Sequence, residues 1–231
     1  MRIVRIATAL GLLGAAAAAH AELSATVTGI SDYRFRGISL TNDDPALQGS
    51  IDWAGENGFY VGAWASNIDY GDDVDGDIEV DLYAGFAGGA EDGLGWDVGI
   101  VWYAYPGADD IDDYPEIYAG LSFGVFDVKQ WYSNDLGGTE LDGWYTEGNA
   151  SFALPANLTL NLHAGYSYGD AFDDTEYLDY SIGLAYTLGN FELGLAWIDT
   201  DLDDGDALFS DDDLFNSDGT VVVSVSTSFP W

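Results

Sequence analysis

The 231-residue chain contains no cysteine. No disulfide framework can hold it, and no thiolate can ligate a metal or attack a substrate. Proline is scarce, at five residues, so little interrupts extended backbone ladders. Past the N-terminus no run reaches 18 consecutive apolar residues, which removes transmembrane helices from the available fold classes. Basic residues are nearly missing: five Lys and Arg stand against 41 Asp and Glu, for a formal charge of −36. A polyanion of this strength repels nucleic acid, and that partner class is excluded. Extreme charge normally accompanies disorder. Here 48% of the residues are hydrophobic, and they recur with a regular period.

The first 21 residues read as a secretory leader. Arg2 and Arg5 form a short positive segment, an Ala- and Leu-rich apolar stretch runs from Ile6 to Ala19, and Ala19-His20-Ala21 has the small-x-small pattern of a cleavage site. The apolar stretch is too short for a spanning helix. The expected domains are therefore a signal peptide at 1–21, cleaved near Ala21, and a single domain at 22–231. Removing the leader leaves Arg34, Arg36 and Lys129 against the same 41 acids, a net charge of −38.

From Leu23 onward the chain alternates. Leu158, Leu160, Leu162, Ala164, Tyr166 and Tyr168 interleave with Thr159, Asn161, His163, Gly165 and Ser167. Leu178 to Leu188 repeats the pattern, and Gly189-Asn190 joins it to Phe191, Leu193, Leu195 and Trp197. Period two with a tight Gly-Asn connection means strands in a hairpin, each with one apolar and one small or polar face. Twelve such segments can be drawn, at 23–36, 45–55, 58–68, 78–90, 94–105, 114–125, 126–134, 143–154, 158–168, 177–188, 191–199 and 219–231. Their connections alternate strictly. Short turns lie near 56–58, 91–93, 124–127, 155–157 and 189–190. Long acidic loops lie at 37–44, 69–77, 106–113, 135–142, 169–176 and 200–218.

A soluble β-sandwich would also alternate. The strict long–short asymmetry points instead to an all-β fold of another kind, an antiparallel up-and-down transmembrane β-barrel of about 12 strands. Aromatics near strand ends, at Tyr60, Tyr70, Trp96, Tyr105, Tyr168 and Tyr177, read as an interfacial girdle. In lipid no sheet edge can stay open, so the first and last strands must pair. The last strand, Val221 to Trp231, ends on an aromatic, as substrates of the barrel-insertion machinery do. The expected location is the outer membrane of a Gram-negative-type bacterium, with lipid and lipopolysaccharide as surroundings and the long loops outside.

The string Ser31-Asp32-Tyr33-Arg34-Phe35-Arg36-Gly37-Ile38-Ser39 is distinctive. It is followed by Asp44-Pro45-Ala46-Leu47-Gln48-Gly49, Gly58-Phe59-Tyr60-Val61-Gly62 and Trp64-Ala65-Ser66-Asn67. These motifs resemble the TorF family of suspected porins, also described as the Gcw_chp family of bacterial proteins. The resemblance implies an outer-membrane barrel with a transport role. It implies no substrate and no functional residues, and the very acidic loops depart from it.

Strand parity selects the lumen face. In the first segment Ala25, Val27, Tyr33 and Phe35 share one face, and Asp32, Arg34 and Arg36 share the other with Ser24, Thr26 and Thr28. Charge on the lipid face costs about 2–4 kcal/mol near the midplane, so the charged face should point inward. The same rule turns inward Asp52, Glu79, Asp81, Asp97, Glu116, Lys129, Glu147, Asp179 and Glu192. One reading is a pore lining that discriminates by charge, a cation-preferring porin for small solutes. The other is a non-conducting structural or adhesive barrel, its interior braced by an ion-pair network and its acidic loops binding divalent cations.

The Asp-rich loops offer a weak calcium pattern at Asp73, Asp75, Asp77, Asp201 and Asp203. They lack the Glu that closes an EF-hand loop, and no cofactor is otherwise expected. Once the leader is removed, His163 is the remaining histidine, on the lumen face with Asn161 and Ser167. No partner orients it into a catalytic triad, so the reading is not an enzyme.

Overall fold

The computed structural model describes residues 21–70, 76–90, 93–108, 111–172, 175–202 and 216–231. The expected leader, apart from Ala21, and most of the last loop lie outside the described residues. The strands, in chain order, are β1 (Glu22–Ile30), β2 (Arg34–Phe35), β3 (Ile38–Ser39), β4 (Ala46–Ala54), β5 (Phe59–Asn67), β6 (Ile78–Gly89), β7 (Gly95–Ala104), β8 (Tyr114–Phe123), β9 (Phe126–Ser133), β10 (Gly143–Leu154), β11 (Leu158–Tyr168), β12 (Tyr177–Leu188), β13 (Phe191–Thr200) and β14 (Thr220–Pro230).

Strand β1 and strands β4 to β14 form one closed antiparallel barrel of twelve strands, and β2–β3 is a separate two-stranded piece. β1 pairs with β14 on one side and β4 on the other, with Thr26 opposite Ser228 and Ser50. The backbones of Leu23 and Trp231 exchange hydrogen bonds across that seam, at 3.4 and 2.7 Å. Closure removes the sheet edge that lipid could not satisfy.

The alternation found in the sequence becomes the two sides of the wall. Leu47, Ile51, Val61, Leu82, Ile100, Leu121, Val128, Leu184, Leu195 and Val223 all face outward and are exposed, Leu47 to 67%. A continuous apolar surface of this size has no place in water. It matches the lipid-facing band of a transmembrane barrel, where each large side chain gains about 1.5–3 kcal/mol on leaving water. The short connections gather at the end carrying the termini. In the turn between β10 and β11, Ala156 and Asn157 take φ of 64° and 59°, and Gly189 takes 64° between β12 and β13. Positive φ is what a tight hairpin between right-twisted strands demands.

Two expectations change. The segment 23–36 is not one strand. β1 stops at Ile30, and residues 31–45 leave the wall as an inserted loop before the chain re-enters at Ala46, which pairs with Ile30. Tyr33, placed on the lipid face by parity, is 1% exposed and belongs to the buried core. The girdle also has other members. Tyr70, Tyr105 and Tyr177 are buried and Tyr60 turns inward onto Asp97, because a phenol on that face finds carboxylates while lipid offers no hydrogen-bond partner. Trp96 does face outward. On the loop side Tyr168 also faces outward, and it is joined by Tyr132, Trp144 and Tyr166, whose rings lie side by side with it at 4.3 to 6.4 Å, with Tyr180 against Trp197.

Candidate functional site

Register decides which side chains meet inside the barrel. One inward row crosses seven strands: Asp97 faces Gly120, then Lys129, Glu147, Gly165, Asp179 and Thr200. Because the strands are staggered, this row climbs from the turn end at Asp97 to the loop end at Asp179. The neighbouring row is aromatic: Tyr60, Gly85, Gly99, Tyr118, Trp131, Tyr145, Ser167 and Tyr177. The two glycines are where rings lie against the wall. A Cβ on Gly99 would strike the Tyr118 phenol, and one on Gly85 the Tyr60 phenol. The lumen is thus lined by carboxylates alternating with phenols.

The described residues place all twelve candidates in the interior, on two kinds of scaffold. Asp52, Glu79, Asp81, Asp97, Glu116, Lys129, Glu147, Asp179 and Glu192 sit on barrel strands. Asp32, Arg34 and Arg36 sit on the inserted loop, which corrects their assignment to the first strand. Glu79, Asp81, Asp97, Glu116, Lys129 and Asp179 are all within 2% of complete burial. Asp52 and Glu192 are half-buried, nearer the turn end.

The inserted loop crosses the lumen. Within it Arg34 ties the knot: Nε donates to Asp32 at 2.6 Å, Nη2 to Asp43 at 2.7 Å, and Nη1 to the carbonyls of Gly37 and Asp218, both at 3.0 Å. Asp32 also accepts from the Ser39 hydroxyl at 2.7 Å. At the tip Arg36 (φ 50°) and Gly37 (φ 85°) turn the chain back in a left-handed conformation. A Cβ on Gly37 would collide with Thr200 and Asp179, so glycine lets the tip approach the far wall.

Arg36 reaches β8, where its Nη2 donates to both oxygens of Glu116 at 2.8 and 2.7 Å. Its guanidinium lies between the rings of Phe35 and Tyr145, at 4.6 and 4.3 Å. Tyr33 packs on Trp64 of β5, and Phe35 on Tyr103 of β7. The loop therefore touches β5, β7, β8, β10, β12 and β13, six of the twelve wall strands, and lies inside the barrel in the manner of a plug.

Below the plug Lys129 forms a second bridge. Its ammonium is 3.6 Å from Asp97 and lies over the rings of Tyr118 and Trp131, at 4.3 and 4.9 Å. Asp97 accepts from the Tyr60 hydroxyl at 2.6 Å, and Asp52 from Tyr83. On the other side His163 meets Asn149 and Asp179, each at 2.7 Å, and the Tyr145 hydroxyl at 3.0 Å. No serine hydroxyl reaches that ring among its described contacts. Sequence reasoning misses Tyr83, Tyr118 and Tyr145, and Asp127 and Asn149 beside the histidine. Tyr83 shares parity with Glu79 and Asp81, and that signal would have placed it.

Of the loop calcium candidates, Asp77 and Asp201 lie among the described residues. Asp73, Asp75 and Asp203 lie outside the described residues. Asp77 borders an open loop cavity with Asp44 and Asp69, and Asp201 accepts from the Leu178 backbone N–H at 2.6 Å. Among the described residues no three acids or histidines converge on a metal-sized site.

A closed twelve-strand antiparallel barrel with an apolar exterior and a polar interior has the architecture of a transmembrane β-barrel, the fold that porins share. The chain belongs to the Gcw_chp family, whose model, described as a bacterial protein of unknown function, matches residues 14–229. The match carries that name and not the TorF one. Among solved structures the chain is similar to the KdgM porin in complex with disordered oligogalacturonate, with a TM-score of 0.57 at 10% identity over 90% of this chain and 99% of that one. It is also similar to the NanC porin, with a TM-score of 0.56 at 11% identity over 89% and 98%. No protein among the curated sequences matches the chain.

Proposed function

We propose that this chain is an outer-membrane channel of porin type that prefers small cations and cationic solutes and is closed by residues 31–45 in the state described here. The reading rests on how the interior charge is arranged. The interior holds three basic side chains, and each is already engaged with carboxylates: Arg34 with Asp32 and Asp43, Arg36 with Glu116, and Lys129 with Asp97. Glu79, Asp81, Glu147 and Glu192 have no Lys or Arg partner among the described residues. Carboxylates in a low-dielectric wall attract cations more strongly than they would in water and exclude anions. An acidic sugar chain such as the ligand named for the KdgM structure would meet repulsion here.

The plug itself favours a second reading, a barrel that does not conduct and serves the envelope structurally or by adhesion. Planar-bilayer recording separates the two. In a KCl gradient at low salt, the reversal potential should have the sign of K⁺ preference, and raising the salt should reduce the contribution of the acidic loops. A channel preferring chloride would defeat the cation reading. A folded barrel that stays silent with its plug removed would favour the structural one.

A further inference from the structure

Glu79 and Asp81 lie two residues apart on the inward face of β6, at 1% and 0% exposure. Their carboxyl groups face one another. Glu79 Oε2 and both oxygens of Asp81 are buried without a hydrogen-bond partner. No protein cation balances them. Arg34, Arg36 and Lys129 are committed to Asp32 and Asp43, to Glu116 and to Asp97, and the loop segments outside the described residues contain no Lys or Arg. A third group comes from a different element. The Tyr33 hydroxyl, carried on the plug and 1% exposed, faces Glu79 and Asp81, with Glu79 its nearest polar neighbour, and makes no well-formed hydrogen bond. Two adjacent buried carboxylates without a counter-charge are strongly unfavourable.

We propose that Glu79, Asp81 and the Tyr33 hydroxyl hold one hard divalent cation of the calcium class between the barrel wall and the plug. The donors are all oxygen, which suits a hard cation and disfavours zinc or copper. Two carboxylates carry the charge that one divalent ion neutralises, and water or backbone carbonyls complete its shell. The ion clips the plug to β6, two strands along the wall from the clasp that Arg36 makes with Glu116 on β8. It does not depend on whether the barrel conducts.

Calcium binding to the full chain folded in detergent tests this, in about 0.5 M NaCl to screen the acidic loops. The native protein should take up one Ca²⁺ per chain in titration calorimetry and melt at a higher temperature in CaCl₂ than in EGTA. Glu79→Gln with Asp81→Asn should lose both effects while still folding, since it removes the buried charge. Tyr33→Phe should bind roughly tenfold more weakly, having lost one of few protein ligands. Asp77→Asn with Asp201→Asn, in the loops, should bind as the native chain does. The proposal is overturned if the native protein takes up no Ca²⁺ under these conditions, or if the Glu79/Asp81 variant binds it equally. It is also overturned if native melting is the same in CaCl₂ and EGTA, as it would be were the pair neutralised by protons. Should the double variant not fold, unchanged affinity in Tyr33→Phe overturns it.

Discussion

Excising residues 31–45 and joining Ile30 to Ala46 through a two-residue Asn-Gly turn should turn a closed barrel into an open one. Ile30 and Ala46 are already opposite each other in the β1–β4 ladder, so a tight turn there is compatible with the existing register. The excision removes the Arg36–Glu116 clasp, the Tyr33–Trp64 and Phe35–Tyr103 contacts, and the Gly37 tip seated against Thr200 and Asp179. None of these closes the barrel. That work belongs to the ladders between neighbouring wall strands, from which the cut takes only the two bonds between Ser31 and Val223 at the loop end of the seam. Single-channel conductance should rise by about tenfold or more, because twelve strands enclose more space than the filled eight-stranded barrels do. Arg36→Ala should give an intermediate result, with a plug that opens intermittently. The variant barrel should still shift mobility on heating, showing that it folds. A folded variant conducting no more than the native protein would mean that the wall side chains alone fill the lumen.

The barrel was legible in the sequence because a closed transmembrane sheet has only one periodicity to offer. Each wall strand must alternate, and each alternating segment from Pro45 to the end corresponds to one observed strand within a few residues. The interior was partly legible for the same reason. Parity places Glu79 and Asp81, Asp97 and Glu116 inward without any knowledge of their partners. Parity failed where the chain leaves the sheet. Asp32, Tyr33, Arg34, Phe35 and Arg36 continue the alternation of β1 in register, and nothing local marks the exit at Ile30. Length does mark it: a segment from 23 to 36 is longer than the 9–11 residues a tilted strand needs, and the surplus ends in Gly37, a residue suited to a reversal. The girdle failed differently. Position along the strand groups Tyr60 and Tyr177 with the girdle, although parity with Asp179 puts Tyr177 inside, and parity with the polar Ser66 points Tyr60 the same way. Which carboxylate each cation takes was not legible at all. Arg36 and Glu116 are 80 residues apart, and their meeting depends on the stagger of the whole barrel.

Lys129→Met should destabilise the barrel by about 3–5 kcal/mol, the usual result of removing one member of a buried ion pair. Lys129 is 2% exposed and Asp97 is fully buried, and the Lys129 ammonium lies against two aromatic rings as well as the carboxylate. Without it Asp97 keeps the Tyr60 hydroxyl and loses its counter-charge. If the lumen at this level were filled with water, the same substitution would cost at most about 1 kcal/mol, as exposed pairs do. The size of the effect therefore reports whether the barrel is dry below the plug. Asp97→Asn alone should also destabilise, leaving an ammonium between Tyr118 and Trp131 with no anion. Asp97→Asn combined with Lys129→Met should recover most of the loss, because the pair is then replaced by uncharged groups of similar volume. Reversible urea unfolding in lipid vesicles, followed by tryptophan fluorescence, measures all four corners of that cycle. A coupling near zero, with both single variants close to native stability, would show a hydrated lumen and a Lys129 that serves as pore lining instead of as a brace.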